Sequence, residues 1–386
     1  VALAGCGRTA GVVKENLDFK PMVCNAFSRA IAFGTGKKIA CPPKATSFPD
    51  LPRDESDPRV RKFVSEYAYQ QRETMKTYLA RAREYLPMVK TVAKEKGLPE
   101  DVAYLFVLES GANPEARSPA NALGMWQFMP STARSYGLRV DSWIDERLDP
   151  WKSTKAAMLY LKDLYGMFGC WRLAMSAYNS GENKLNKVLC QEDASEYSEI
   201  CSSRRLKKET REFFPRFQAI AAIARNPGKY GFAKLDGGAP DDRHELVTVD
   251  GSYSLEALAR GMDVPYDRLA ELNPALVRGA TPAEGPPYSL RIPLGKKEVL
   301  VAKLRELPEV TVKKSTVHVV GKGDNLAKIA KRYQVRKAQL AELNPDVNFH
   351  RRLRQGSRIL VPVSKIQTKK TTKRDRFSWL DQKARN

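Results

Sequence analysis

The chain is 386 residues long, with 42% hydrophobic residues and a formal net charge of +22. That is enough for one sizeable core plus smaller modules, and the composition is that of a globular protein. The charge favours polyanions without choosing between nucleic acid, anionic lipid and an acidic cell-wall polymer. The sequence carries no zinc-finger spacing, no basic heptad region and no aromatic-basic RNA-binding signature, which sets nucleic acid aside as a partner. No run of about 18 apolar residues occurs, so no segment reads as a membrane-spanning helix.

The first residues, "VALAGCGRTAG", read as the last few residues of an apolar signal segment, without an initiator methionine. Leu3-Ala4-Gly5-Cys6 resembles the bacterial lipoprotein processing box, in which the cysteine becomes the N-terminus and carries lipid. This implies lipid attachment at Cys6 and anchoring to the outer membrane of a Gram-negative bacterium, facing the periplasm. The other reading is an accidental match ahead of an ordinary arm. Five further cysteines (Cys24, Cys41, Cys170, Cys190, Cys201) form no C-x-x-C pair, and the chain has three histidines. No structural metal site and no cofactor are expected. Disulfides between Cys190 and Cys201 and between Cys24 and Cys41 suit an oxidising compartment; buried free thiols are the alternative.

Residues 1–59 read as the signal remnant and an arm, ending in the proline-rich "CPPKATSFPDLPRDESDPR". From Val60 the apolar positions Phe63, Val64, Tyr67, Met75, Tyr78, Leu79, Ala82 and Leu86 mostly recur at spacings of three or four, which predicts one amphipathic helix. Gly97 stops it. A new helix then has Pro99, Glu100 and Asp101 in its first turn, and it is apolar all round between Ala103 and Leu108, so it should be buried on most sides. Further helices are expected in "STKAAMLYLKDLYGMF", "WRLAMSAYNSGENKLNKVL" and "KKETREFFPRFQAIAAIARNP", making residues 60–232 one mostly helical domain.

Beyond it the chain repeats itself. "SLEALARGMDVPYDRLAELNPAL" (254–276) aligns with "NLAKIAKRYQVRKAQLAELNPDV" (325–347) at a constant offset of 71, with Leu272-Asn273-Pro274 over Leu343-Asn344-Pro345. Each copy begins and ends in a β-type stretch, giving βααβ modules at 244–296 and 315–364. These modules resemble LysM domains, which bind chitin and peptidoglycan through N-acetylglucosamine. The second copy carries that family's turn, Gly323-Asp324-Asn325-Leu326, and the resemblance implies glycan binding there, with Asn344 and Pro345. The first has "GSYSL" in its place and a longer final loop, so it is expected to be degenerate. Residues 365–386 read as a basic tail.

In "LFVLESGANPEARSPANALGMWQFMP" (105–130), Glu109 directly follows the apolar run. Desolvation there should raise its pKa and keep a proton on it near neutrality, as a general acid requires. A solvent-facing glutamate at a helix end is the commoner arrangement for an isolated Glu. The string that follows changes the balance. Gly124 lets backbone approach a ligand, Trp126 offers a flat apolar surface, and the Gln127 amide both donates and accepts. Tyr178 and Asn179 add another aromatic face and amide. Such groups suit an uncharged N-acetylated sugar.

At Glu109-Ser110, Gly124-Met125-Trp126-Gln127, Ala177-Tyr178-Asn179 and "ETREFFP" (209–215), residues 97–231 resemble the catalytic domain of family 1 lytic transglycosylases. The resemblance implies a lysozyme-like fold, and so an α+β multidomain chain with a mostly α catalytic domain followed by two small βααβ LysM-type modules. It implies that Glu109 is the single catalytic acid/base, that Ser110, Ser118, Met125, Gln127 and Met129 line the sugar subsites, and that Tyr178 and Asn179 shape the site around the carboxyl. Core packing is the alternative for Met125, Trp126 and Met129. Where the family usually has tyrosine this chain has Phe213, so the hydroxyl expected to support Glu109 is absent. The implied substrate is peptidoglycan glycan strand and the implied reaction is lyase-type, because the motifs supply one carboxylate where a standard glycosidase needs two. Asp141, Asp145, Glu146 and Asp149 lie in a loop-like stretch that the sequence alone does not place relative to Glu109. A goose-type hydrolytic lysozyme and a non-catalytic wall-binding scaffold remain alternatives, and oligomeric state is not legible.

Overall fold

The computed structural model describes residues 48–233, 243–283, 285–310, 315–344, 347, 349 and 352–362. The expectations for Cys6, for a Cys24–Cys41 pair, for Pro345 and for the 365–386 tail fall outside them. The chain divides into two units, the first up to Val140 and from Asp145 to Asp242, the second comprising Asp141–Ile144 and everything from Arg243. The architecture is α+β: a mostly helical unit, then two small βααβ modules.

The first unit opens with helix α1 (Pro58–Ser65), capped by the Asp57 carboxylate, which accepts from the Arg59 amide. The single amphipathic helix expected from Val60 is interrupted by a π turn at Glu66–Gln70, after which α2 runs Arg72–Glu95. The turn adds a residue of phase, and both stretches still bury their apolar stripes, from Val60 and Phe63 to Met75, Leu79 and Ala82. Pro99 introduces a 3-10 turn at Glu100–Tyr104 rather than a full helix, and only Leu105–Ser110 (α3) is α-helical. Then come α4 (Pro130–Ser135), α5 (Pro150–Phe168), α6 (Trp171–Ser180), α7 (Glu182–Gln191), α8 (Tyr197–Ile200) and α9 (Lys208–Arg225). The helix expected across "WRLAMSAYNSGENKLNKVL" is two helices, because Gly181 breaks it.

The core of this unit is the apolar faces of α5 and α9 closed over α3; α9 packs on α1, α6 and α3, and α5 on α2 and α6. Residues 48–55, read from sequence as the end of an arm, are a strap on this unit. Leu51 is buried, Trp171 Nε1 donates to the Pro49 carbonyl at 2.8 Å, and Gln218 donates to the carbonyl of Pro52. Arg53 and Arg225 converge on the buried Asp101 at 2.9 and 2.6 Å. Cys190 and Cys201 are free thiols, exposed and half-buried, so the disulfide considered for them is not formed; Cys201 donates to the Ser198 carbonyl.

In the second unit, β1 (His244–Val249) pairs antiparallel with β2 (Tyr288–Pro293) around α10 (Leu255–Met262) and α11 (Tyr266–Leu272). Helix α12 (Lys297–Lys303) buries Leu300 in the same core, so this module runs past the expected limit at 296. Ile144 is seated in that core as well. In the second copy, β3 (Ser315–Val319) pairs antiparallel with β4 (Arg358–Pro362) around α13 (Leu326–Tyr333) and α14 (Lys337–Leu343).

The shared Leu-Asn-Pro motif does the same work in both copies. Asn344 is buried, its amide donates to the carbonyls of Leu340 and Leu360 at 2.7 and 2.8 Å, and its Oδ1 accepts the Leu360 N–H at 2.7 Å. Asn273 makes the matching three bonds to Leu269 and Arg291. The side chain thus joins the second helix to the last strand, and the expectation that Asn344 contacts sugar is corrected: its amide is already occupied. Losing these bonds strands buried backbone groups at about 2–3 kcal/mol. Asn344→Ala should therefore speed hydrogen exchange of the Leu360 amide by roughly 30- to 150-fold while the Arg291 amide in the first copy is unchanged.

Candidate active site

Glu109 lies in the last turn of α3. Leu105, Phe106 and Val107 before it are fully buried, and burial at about 1.5–3 kcal/mol per side chain holds a six-residue helix that would not persist alone. The helix ends immediately after Glu109-Ser110 because Gly111 turns left-handed (φ +62°), and a Cβ there would run into the Tyr78 ring. Glu109 Oε1 is shut off from solvent and has no hydrogen-bond partner. This desolvation raises its pKa to about 8, and the like charge of Glu209 adds to it. Phe213 is buried in the helical core, so position 213 offers no hydroxyl to the orphaned oxygen.

The loop that follows is held from beneath. Ser110 Oγ contacts the carbonyls of Phe106 and Met125 at 3.1 and 2.9 Å and accepts the Asn113 N–H at 3.1 Å. Ser118 Oγ accepts the Ala122 N–H at 3.0 Å. Gln127, in the left-handed region (φ +49°), donates its amide to the carbonyls of Ala116 and Gly124, both at 2.9 Å. Gly124 presses on the Arg147 backbone so closely that a Cβ would overlap the Arg147 carbonyl oxygen. The Arg147 side chain, 1% exposed, forks onto Asp145 at 2.9 and 2.7 Å and donates to the carbonyls of Asn121 and Phe128 at 2.8 and 3.1 Å.

Ser118 and Gln127 remain half-exposed on this loop and Met129 is 41% exposed, so all three are available to a ligand. Met125 and Trp126 are not. Both are fully buried, and the Trp126 indole donates to Thr154 Oγ1 at 2.9 Å, so their side chains belong to the core and the expected sugar-facing surface is corrected.

Tyr178 donates to the Trp126 carbonyl at 2.9 Å, and its ring packs 5.2 Å from Tyr160 and 6.5 Å from Phe128. Burial and the nearby charge of Glu109 push its hydroxyl pKa well up, so it stays a neutral neighbour of the acid. Asn179 Nδ2 donates to Glu209 at 3.2 Å and its Oδ1 accepts from Thr210 at 2.8 Å, tying the end of α6 to the start of α9.

The four loop carboxylates are all occupied. Asp141 accepts the amides of Trp143 and Ile144, Asp145 holds Arg147, Glu146 accepts from the Arg139 amide and Lys152, and Asp149 caps α5. Unlike these four, Glu109 has no hydrogen-bond partner.

Residues 88–201 match the transglycosylase SLT domain, residues 243–309 the LysM-like domain of lytic transglycosylase MltD, and residues 318–362 the LysM domain. Residues 88–201 are a transglycosylase SLT domain. Membrane-bound lytic murein transglycosylase D of Escherichia coli is 33% identical over 278 residues, covering 68% of this chain and 60% of that protein. This chain thus aligns with less than two thirds of that relative's length. Membrane-bound lytic murein transglycosylase C of Actinobacillus pleuropneumoniae is 37% identical over 122 residues, 28% of this chain and 33% of the relative. Among solved structures, a complex of the 70-kDa soluble lytic transglycosylase with bulgecin A is 24% identical, covering 40% of this chain and 26% of that one, with a TM-score of 0.33.

Within the SLT domain, the residue that sequence reasoning passed over is Arg147, which ties the loop to its frame. Its signal was present: "IDERLD" sets a single cation among three acids. Glu209 and Thr210 were seen only as part of a motif, not as partners of Asn179.

The buried acid also has a cost in stability. Unfolded, a glutamate ionises near ~4.3; folded, Glu109 holds its proton to about 8. The stability contributed by that proton is complete below pH ~4 and is lost as pH rises through about 8, at most about 5 kcal/mol. Urea denaturation should show Glu109→Gln more stable than the parent at pH 8.5, with the difference shrinking towards pH 4.

Proposed function

We propose that the chain is a peptidoglycan lytic transglycosylase that cleaves the β-1,4 bond between N-acetylmuramic acid and N-acetylglucosamine and leaves 1,6-anhydromuramyl ends. The observation that carries this reading is the unpartnered carboxyl of Glu109, which desolvation keeps neutral near pH 7. The neutral acid gives its proton to the glycosidic oxygen as the bond breaks. The N-acetyl group of the muramyl sugar stabilises the oxocarbenium centre, so no second protein carboxylate is needed. The Glu109 carboxylate then takes the proton of that sugar's own 6-hydroxyl, whose oxygen closes on C1. The proton balance returns to its start and no water is consumed.

Ser118, Gln127 and Met129 are read as lining the glycan groove, with Tyr178 and Asn179 fixing the wall around the acid. Backbone groups of the 321–326 turn in the second LysM module, with the exposed Lys322, would hold the chain on the wall, since Asp324, Asn325 and Leu326 are otherwise engaged. Mass spectrometry of digested sacculi should find muropeptide ends one water lighter than hydrolysed ends, and Glu109→Gln should slow their release by about 10²- to 10⁴-fold. Products wholly of the heavier kind would assign a hydrolytic lysozyme instead. Sacculi bound but left intact by the unaltered protein would assign a scaffold.

The cell-envelope location of this chain is read from the relatives named membrane-bound and from Leu3-Ala4-Gly5-Cys6; among the described residues no helix is long and apolar enough to cross a membrane. On this reading Cys6 carries lipid and the protein faces the periplasm from the outer membrane. Cys6→Ser, expressed with its signal segment, should move the protein from the membrane fraction to the soluble one. An unchanged membrane pool would reject the anchor.

A further inference from the structure

The second LysM module holds a polar relay that its sister module lacks. His318, 5% exposed on β3, places Nε2 2.8 Å from Asp324 Oδ2 and Nδ1 3.0 Å from the Tyr333 hydroxyl. The same Asp324 oxygen accepts the Gly321 N–H at 2.8 Å, so the imidazole grips the turn that runs from Gly321 to Asn325. Asn325 caps α13 by accepting the Lys328 N–H at 2.9 Å, Leu326 packs on the core, and Lys328 Nζ donates to the Gly323 carbonyl at 2.9 Å, while the Lys322 side chain is exposed. The turn can therefore offer a ligand its backbone and the Lys322 ammonium, and the shape of that backbone depends on where Asp324 is held.

The first module is a built-in control. At the offset of 71, His318, Asp324 and Tyr333 correspond to Val247, Tyr253 and Met262, and all three lie buried in the first module's core. One fold is thus built around Val, Tyr and Met in one copy and around His, Asp and Tyr in the other. Buried ionic sets are commonly matched or exceeded in stability by apolar ones of similar volume, so stability does not account for the relay. It sits instead under the one turn that distinguishes the copies.

We propose that His318 is a positioning residue for the 321–325 turn, and that protonation of its imidazole tightens this turn and with it the module's hold on an N-acetylated glycan. The proposal rests on reading the second module as a glycan binder. With the imidazole neutral, Asp324 as acceptor fixes the proton on Nε2, and Nδ1 accepts from Tyr333. On protonation Nδ1–H donates to the Tyr333 oxygen, whose hydroxyl rotates away, and the bond to Asp324 becomes a shorter, stronger ion pair.

The charged and titratable groups around the relay and its turn are Asp324, Tyr333, Arg332, which is 3.8 Å from Asp324 Oδ1, Lys328, whose Nζ donates to the Gly323 carbonyl at 2.9 Å, and the exposed Lys322; opposite His318 on β4 stands the apolar Ile359. The Gly321 N–H first, and then His318, hold the Asp324 carboxyl below the usual range. Asp324 therefore stays ionised from pH 5.5 to 8.

The test uses the full chain carrying Glu109→Gln, titrated with soluble N-acetylglucosamine oligomers and followed at the NMR signals of the Gly321, Gly323 and Asn325 amides. Affinity should rise about three- to tenfold between pH 8 and pH 5.5. His318→Gln, whose amide still donates to Asp324, should keep the pH 8 affinity and lose the rise. The triple exchange H318V/D324Y/Y333M, which copies the set that the first module packs, should fold, bind weakly and show no pH dependence. A flat profile in the parent, or a rise that survives His318→Gln, would overturn the proposal while leaving glycan binding intact. No response of these amides to the oligomers in any form would overturn the glycan reading and the proposal together.

Discussion

A carboxyl with no hydrogen-bond partner at the end of an apolar helix is the constraint around which the helical unit is organised. Leaving Glu109 Oε1 unsatisfied is tolerable only while the group keeps its proton, and it keeps the proton only while water is excluded. The buried run Leu105–Val107, the left-handed stop at Gly111 against Tyr78, and the neutral Tyr178 beside the acid all serve that exclusion.

The rest of the unit solves the opposite problem. At Arg147 a buried charge is fully engaged, its guanidinium serving one carboxylate and two carbonyls. A fork of this kind fixes two loop segments at once, which a lysine could not do with a single ammonium. The loop after Glu109 is therefore fixed through its backbone and through Ser118, whose Oγ accepts the Ala122 N–H, while Met129 is left exposed.

Much of this was legible beforehand, and the reasons are specific. The apolar run before Glu109 is local in sequence, so the burial of the acid and the direction of its shift could be read directly. The repeat was legible because its apolar positions and Leu-Asn-Pro signature keep one offset. What stayed hidden depends on contacts distant in sequence. Nothing near Trp126 announces Thr154, 28 residues on, as the indole's partner, so a core tryptophan read as a sugar platform. Asn344 read as a ligand for the same reason, its partner strand lying 16 residues away. The π turn at 66–70 was invisible because an inserted residue barely disturbs a spacing of three or four.

The paired modules also say something about how such a chain can change. Turning the set Val247, Tyr253 and Met262 into one like His318, Asp324 and Tyr333, or back, takes three substitutions, and every intermediate that carries the histidine or the aspartate buries it without part of its relay. The histidine and the aspartate are therefore epistatic, each acceptable only in the company of its partners, whereas exchanging methionine for tyrosine strands no such group. The order of change is thereby constrained: the tyrosine can come first, and the other two must arrive, or leave, together.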